Sequence, residues 1–169
     1  SKSSSSSVYY WSWQEMIKNN ENGVFPYTPA TNLLYGLKEA LRLLHNEGLK
    51  NVFSRHVRLA KATRLAVDAW GLENFCLNPK EYSNSCTAVL MPEGFDADHL
   101  RRVILEKFNM SLGTGLGKGK GKIFRIGHLG DFNELSLAGT LSGVEMGLRI
   151  AKVPHEKGGI NAALEFLSV

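Results

Sequence analysis

Gly121-Lys122-Ile123-Phe124-Arg125-Ile126-Gly127-His128-Leu129-Gly130 is the stretch on which the reading of this chain turns. Ile123, Phe124 and Ile126 read as a short buried strand bounded by glycines. Arg125 sits in the middle of it. A guanidinium enters apolar surroundings only in company, because the water it gives up must be replaced by an anion and hydrogen-bond acceptors. Arg125 therefore either pairs with a buried Asp or Glu of this chain or waits at a cleft for a ligand carboxylate or phosphate. Strand position alone favours structural pairing, and the surroundings of the strand shift that balance.

Just upstream, Gly113, Gly115, Gly117, Gly119 and Gly121 alternate, with Lys118, Lys120 and Lys122 between or beside them. No Gly-Lys pair here is followed by Ser or Thr at the spacing of a nucleotide-phosphate loop, and no three glycines fit the dinucleotide fingerprint. What remains is a mobile basic loop, either carrying a ligand or forming a surface hairpin, that leads into the Arg125 strand. Downstream, Asp131 or Asn133 is placed to cap a helix through Leu137, Leu141, Val144 and Leu148. Gly139, Gly143 and Gly147 fall four apart on one side of it, which suits close backbone packing. A last short helix, Ile160 to Leu167, follows Gly158-Gly159.

Farther back, Leu72 to Cys76 and Cys86 to Met91 read as strands around a turn-rich loop from Asn78-Pro79 to Asn84. Phe95-Asp96-Ala97-Asp98 opens a helix running to about Phe108. His99 beside Asp96 and Asp98 is explained by helix-start carboxylates, and His45, His56 and His155 form no ligand set. No metal is expected. Leu49 to Trp70 reads as a helix with Phe53, Val57, Ala60 and Val67 inward. Its Arg55, Arg58, Lys61 and Arg64 advance three residues at a time, fanning around the axis as a solvated face. Before it, Thr28 is placed to cap a helix with Pro29 in its first turn, Leu33, Leu34, Leu37, Leu41 and Leu44 at helical spacing, and Gly48 as its stop. Exposed N–H groups at such a start also favour an anion. Tyr9, Tyr10, Trp11 and Trp13 form an aromatic arm, to be covered by this domain's own core or by a missing domain or partner, and Ser1–Ser7 is a flexible linker.

The whole chain bounds these readings. Its 169 residues make one domain, or one domain plus a connecting arm, long enough to bury about two thirds of its unfolded surface. Apolar residues are 43% and charged residues 21%, as in an ordinary soluble protein, and 20 basic against 16 acidic residues give a net charge of only +4. That is far from the profile of an obligate nucleic-acid binder. Cys76 and Cys86 read as small hydrophobes in a reducing compartment. No apolar run approaches membrane-spanning length, and the N-terminus lacks a secretory apolar core. A chain beginning Ser1-Lys2 without Met is expected to be a piece of a longer protein.

Thr28-Pro29-Ala30-Thr31-Asn32-Leu33-Leu34-Tyr35, Asn109-Met110-Ser111-Leu112-Gly113 and Phe124-Arg125-Ile126-Gly127-His128-Leu129-Gly130 together resemble the C-terminal part of the serine–glyoxylate aminotransferases. These are class V, fold-type I pyridoxal-phosphate enzymes, and the resemblance runs from about Val8 to Leu167. It implies an α/β (α+β) small C-terminal domain. Three to four antiparallel strands would be covered by helices and preceded by a long linker helix, with residues 1–27 as an arm from a large domain and 28–169 as the small domain. It implies that the whole enzyme moves an amino group from serine, or alanine, to glyoxylate, giving glycine, as a homodimer with bound pyridoxal 5'-phosphate.

In that family the arginine matching Arg125 grips the α-carboxylate of both donor and acceptor, which meets the demand for an anion made above. The threonine matching Thr28 reaches the cofactor phosphate of the neighbouring subunit. The family often places a phosphate-binding tyrosine three residues earlier. Here that position is Phe25, with Tyr27 as a candidate substitute. Lys118, Lys120 and Lys122 match no family site. The Schiff-base lysine belongs to the large domain, so this piece alone is expected to be inactive. Its partners are then small amino and oxo acids, its own large domain and a second subunit, with no nucleic acid or membrane. A cytoplasmic location of bacterial type, or an organelle in a eukaryote, is implied. Two other readings stand beside this one: a basic module binding polyanions, and a dimerisation or packing domain.

Overall fold

The computed structural model describes residues 9–169, so the linker expected over Ser1–Ser7 lies outside the described residues. The chain divides into two compact units, one up to Leu49 and one from Lys50 to Val169.

In the first unit a single 3-10 turn at Tyr9–Trp11 leads into α1 (Trp13–Asn20), capped by Ser12, whose side chain accepts from the Glu15 N–H. Helix α2 (Thr31–Glu47) follows and ends at Gly48, whose φ of +81° suits glycine. The expected cap is displaced: the N-cap is Ala30, not Thr28, and no side chain caps the helix. Thr28 precedes a proline, which disfavours helical backbone there. Ala30 then makes a tight inverse γ-turn (φ −71°, ψ 74°) that carries the Thr31 N–H to the Pro29 carbonyl at 2.8 Å. The aromatic arm is not packed away, with Trp11 and Trp13 both more than two thirds exposed.

The second unit is a four-stranded antiparallel sheet backed by helices. Its elements are α3 (Leu49–Ala69), β1 (Glu73–Asn74), β2 (Cys86–Leu90), α4 (Ala97–Phe108), β3 (Gly113–Thr114), β4 (Ile123–Gly127), α5 (Glu134–Ile150) and α6 (Gly159–Leu167). Strand order is β1-β2-β4-β3, every neighbour antiparallel. Alternation along β4 sends Phe124 and Ile126 into the core with Val89 of β2. They meet Leu59 and Val67 of α3, Trp70 just after it, Leu100 and Ile104 of α4, and Leu137, Leu141, Val144 and Leu148 of α5. Burying side chains of this size stabilises by roughly 1.5–3 kcal/mol each.

Several elements differ in detail from the sequence reading. Helix α3 buries Val52, His56, Leu59, Thr63 and Val67, whereas Phe53 (64% exposed) and Val57 (47%) point away. The helix carries two apolar stripes, and the one lined with Ala60, Ala62 and Ala66 lets the core approach. Its cations are no solvated fan. Arg58 pairs with Glu134 and donates to the Leu167 carbonyl, Lys61 sits 4.9 Å from the centre of the Phe166 ring, and Arg64 covers Tyr82. The strand expected over Leu72–Cys76 contracts to two residues. The glycine run folds as β3 and a 3-10 turn at Gly117–Gly119, because a Cβ on Gly115 would lie 1.9 Å from the Gly119 carbonyl oxygen. On α5, Asn133 is the cap, and a Cβ on Gly143 or Gly147 would strike Met110 or Ile104, while Gly139 faces open space.

Candidate functional site

Because Phe124 and Ile126 face the helices, Arg125 between them is turned to the opposite face of the sheet. Its register partners there are Ala88 on β2 and Gly113 on β3, two of the smallest side chains available. The arginine lies across Gly113 so closely that a Cβ on that glycine would sit 3.0 Å from Arg125 Cβ and 3.1 Å from Nε. Nε donates to the Thr114 carbonyl at 2.9 Å. No carboxylate among the described residues pairs with the guanidinium, which is half-buried. Of the two possibilities the sequence left open, an internal acid partner is thus not what holds it. Cys86 lies diagonally beside Arg125 on the same face; burial pushes its thiol pKa up, and the arginine's charge pulls the other way.

The β3 edge is fastened from α4. Asp98 accepts from the Thr114 hydroxyl at 3.0 Å and from Arg101 Nη1 at 2.8 Å, and Arg101 Nε donates to the Leu112 carbonyl at 2.8 Å. The Thr114 hydroxyl first, and Arg101 next, hold the Asp98 carboxyl below its ordinary pKa. Asp96 caps α4 by accepting from the Asp98 N–H, and the Ala97 N–H donates to Gly121 at the foot of β4.

The chain leaving β4 is gripped just as firmly, by residues the sequence reading did not assign. His128 is fully buried. Its Nδ1–H donates to the Asn84 carbonyl at 3.1 Å, so its Nε2 accepts from the Thr87 hydroxyl at 3.0 Å. Burial pushes its pKa down to about 4, keeping the ring neutral. Gly130 has φ +91°; its N–H donates to His56 Nε2 and its carbonyl accepts from Arg55, which also reaches the Phe132 carbonyl. The one local signal was a histidine in the buried phase of α3, where an imidazole needs a partner.

Thr28 and Tyr27 belong to the unit ending at Leu49, Arg125 to the other. Thr28 is exposed and its hydroxyl has no partner among the described residues, nor do the N–H groups of Asn32 and Leu33 at the start of α2. Tyr27 is half-buried, its ring stacked on Tyr10 at 5.7 Å. Phe25 is exposed and offers no hydroxyl. The Thr28 hydroxyl and the Asn32 and Leu33 N–H groups are donors of the kind that suit an oxygen-rich anion. Lys118, Lys120 and Lys122 are exposed.

No family model matches the chain. Known proteins do. The serine–glyoxylate aminotransferase of Hyphomicrobium methylovorum is 48% identical over 160 residues, covering 94% of this chain and 40% of the relative. That of Arabidopsis thaliana is 48% identical over 169 residues, covering 98% of this chain and 42% of the relative. Among solved structures, the pyridoxamine–pyruvate aminotransferase of Mesorhizobium loti superposes with a TM-score of 0.82 at 33% identity, over 87% of this chain and 38% of that one. The chain thus spans about two fifths of the length of the curated relatives it matches. Sequence likeness over nearly all of the chain, joined to the same antiparallel sheet and helical backing, places it, for the part it spans, in the serine–glyoxylate aminotransferase family of class V aminotransferases.

Proposed function

We propose that this chain is the carboxylate-binding portion of a pyridoxal-phosphate-dependent aminotransferase that moves an amino group from serine, or alanine, to glyoxylate, yielding glycine. The observation that carries the reading is Arg125, whose Nε is tied to the Thr114 carbonyl while no acid among the described residues takes its charge. Nη1 and Nη2 remain to meet the two oxygens of a carboxylate, a pairing the planar guanidinium makes better than an ammonium. Donor and acceptor both carry that carboxylate, so one arginine serves both halves of the exchange. By fixing the carboxylate it also fixes the direction of the bonds at the neighbouring carbon, and correct placement lowers the barrier.

Pyridoxal phosphate, when bound, supplies the electron sink that such an exchange needs. On this chain, the Thr28 hydroxyl and the Asn32 and Leu33 N–H groups would hold its phosphate across a homodimer interface, with Tyr27 as an added donor. The lysine that anchors the cofactor would lie in the large domain, so this piece by itself would not transaminate.

The test is Arg125→Ala in the full-length protein. KM for serine and for glyoxylate should each rise by about 100-fold, the loss expected from removing two charge-assisted hydrogen bonds. The visible absorbance of bound cofactor should stay. Unchanged KM values for both substrates would end the assignment.

A further inference from the structure

We propose that Gly113, Thr114 and the Asp98–Arg101 pair are positioning residues for substrate binding, setting the Arg125 guanidinium for its carboxylate; the inference rests on the reading of Arg125 given above. An arginine side chain has wide rotamer freedom, and one that must receive two different substrates in one pose needs something to remove it. Here that work falls on β3, which is only two residues long and pairs with β4 at Gly113↔Arg125 and Thr114↔Phe124. So short a strand does not hold itself in register.

What holds it is the N-terminal part of α4. The residues on both sides of Gly113 are tied down: the Leu112 carbonyl by Arg101 Nε, and the Thr114 hydroxyl by Asp98. Arg101 and Asp98 are themselves paired. The segment that carries them is pinned in turn to the foot of β4, through Ala97 N–H to the Gly121 carbonyl at 2.8 Å. The contacts therefore close a ring: β4 to α4, α4 to β3, and β3 back to β4 through the Thr114 carbonyl and Arg125 Nε. Gly113 completes it by absence, since the stem and Nε of Arg125 occupy the space a side chain would take. Asp98 acts through the Thr114 hydroxyl, and Arg101 through the Leu112 carbonyl and Asp98.

The experiment uses the full-length enzyme with Asp98→Ala, Asp98→Asn and Thr114→Val, each alone and in an Arg125→Ala background. Steady-state kinetics give KM and kcat, and titration of the cofactor absorbance with a simple carboxylate that carries no amino group gives a binding constant without turnover. Thr114→Val keeps size and the backbone carbonyl, so it tests the hydroxyl alone. Asp98→Ala and Thr114→Val should weaken both substrates by about five- to tenfold, with kcat changing by less than about twofold. Asp98→Asn, which still offers an acceptor, should recover part of the loss. In the Arg125→Ala background the same substitutions should add less than about twofold, because no guanidinium is left to place. Equal losses in both backgrounds would mark a merely structural role and overturn the proposal. So would unchanged affinities alongside a damaged Arg125→Ala enzyme, which leaves the carboxylate reading standing. If Arg125→Ala itself is harmless, both fall.

Discussion

Lowering the pH should loosen the segment behind β4 through one side chain, His128. Its Nδ1–H is committed to the Asn84 carbonyl and its Nε2 to the Thr87 hydroxyl. Burial first, and then the charges of Arg64 and His56, oppose a proton arriving at Nε2. The ring therefore resists protonation until about pH 4 in the folded state, against 6.5 for an ordinary histidine. Between those values the unfolded chain takes up a proton that the folded chain refuses. The folded pKa is depressed, so the stabilisation is complete above the unfolded value and is lost as pH falls toward the folded one. At about 1.4 kcal/mol per pH unit this amounts to up to about 3 kcal/mol. The assay is urea unfolding of wild type and His128→Asn, followed by circular dichroism from about pH 7 to about pH 4. Asn keeps a donor near Asn84 but cannot take the proton, and the other titrating groups cancel in the difference. The advantage of wild type over the variant should shrink by about 3 kcal/mol across that range. Parallel curves would mean that His128 protonates freely in the folded protein, and the account of its burial would be wrong.

Two glycines on one helix should respond with opposite signs. Gly147→Ala would place a Cβ 2.2 Å from Ile104 Cγ1 and should cost about 2 kcal/mol, whereas Gly139→Ala meets nothing within 4 Å and should add about 0.5–1 kcal/mol of stability. Urea midpoints moving in the same direction would refute the packing argument. Glu145 accepts from the indole N–H of buried Trp70 at 2.8 Å and from the Ile160 N–H at 3.2 Å, so Glu145→Ala should cost about 1–3 kcal/mol. Part of that loss should return in the double variant with Trp70→Phe, which no longer has an N–H to satisfy; simple additivity in the same unfolding assay would contradict the pairing.

What could be read from the chain alone was what local periodicity encodes. The alternation of Ile123, Phe124 and Ile126 with Arg125 located both the strand and the odd residue in it, and the helices from α2 to α6 followed from apolar spacing, although the cap expected for α2 at Thr28 was not the one used. The glycine run was harder, because glycine is both flexible and small, and composition does not say which property is in use. Here it is both: Gly113 and Gly115 stand where side chains would collide with Arg125 or Gly119, while Gly117 and Gly121 take positive φ. The cations of α3 misled for a related reason. Arg55 finds its acceptor 75 residues away at Gly130, and no spacing rule reaches that far. The phase of α3 failed at Phe53 and Val57 because two apolar stripes compete on one helix, and only tertiary packing chooses between them. The ring through Asp98, Arg101 and Thr114 was invisible for the same cause, since each of its members has an ordinary local explanation.

Both borders of the sheet are two-residue strands, β1 and β3, with the five-residue β2 and β4 enclosed between them. So brief a border gives a foreign extended chain almost nothing to zip onto, which protects the molecule from runaway association. On the β3 side that protection is only as good as its fastening to α4. Were the fastening cut, the full length of β4 would lie open as a template, and clumping during overproduction would join weakened substrate capture as a symptom of one lost ion pair.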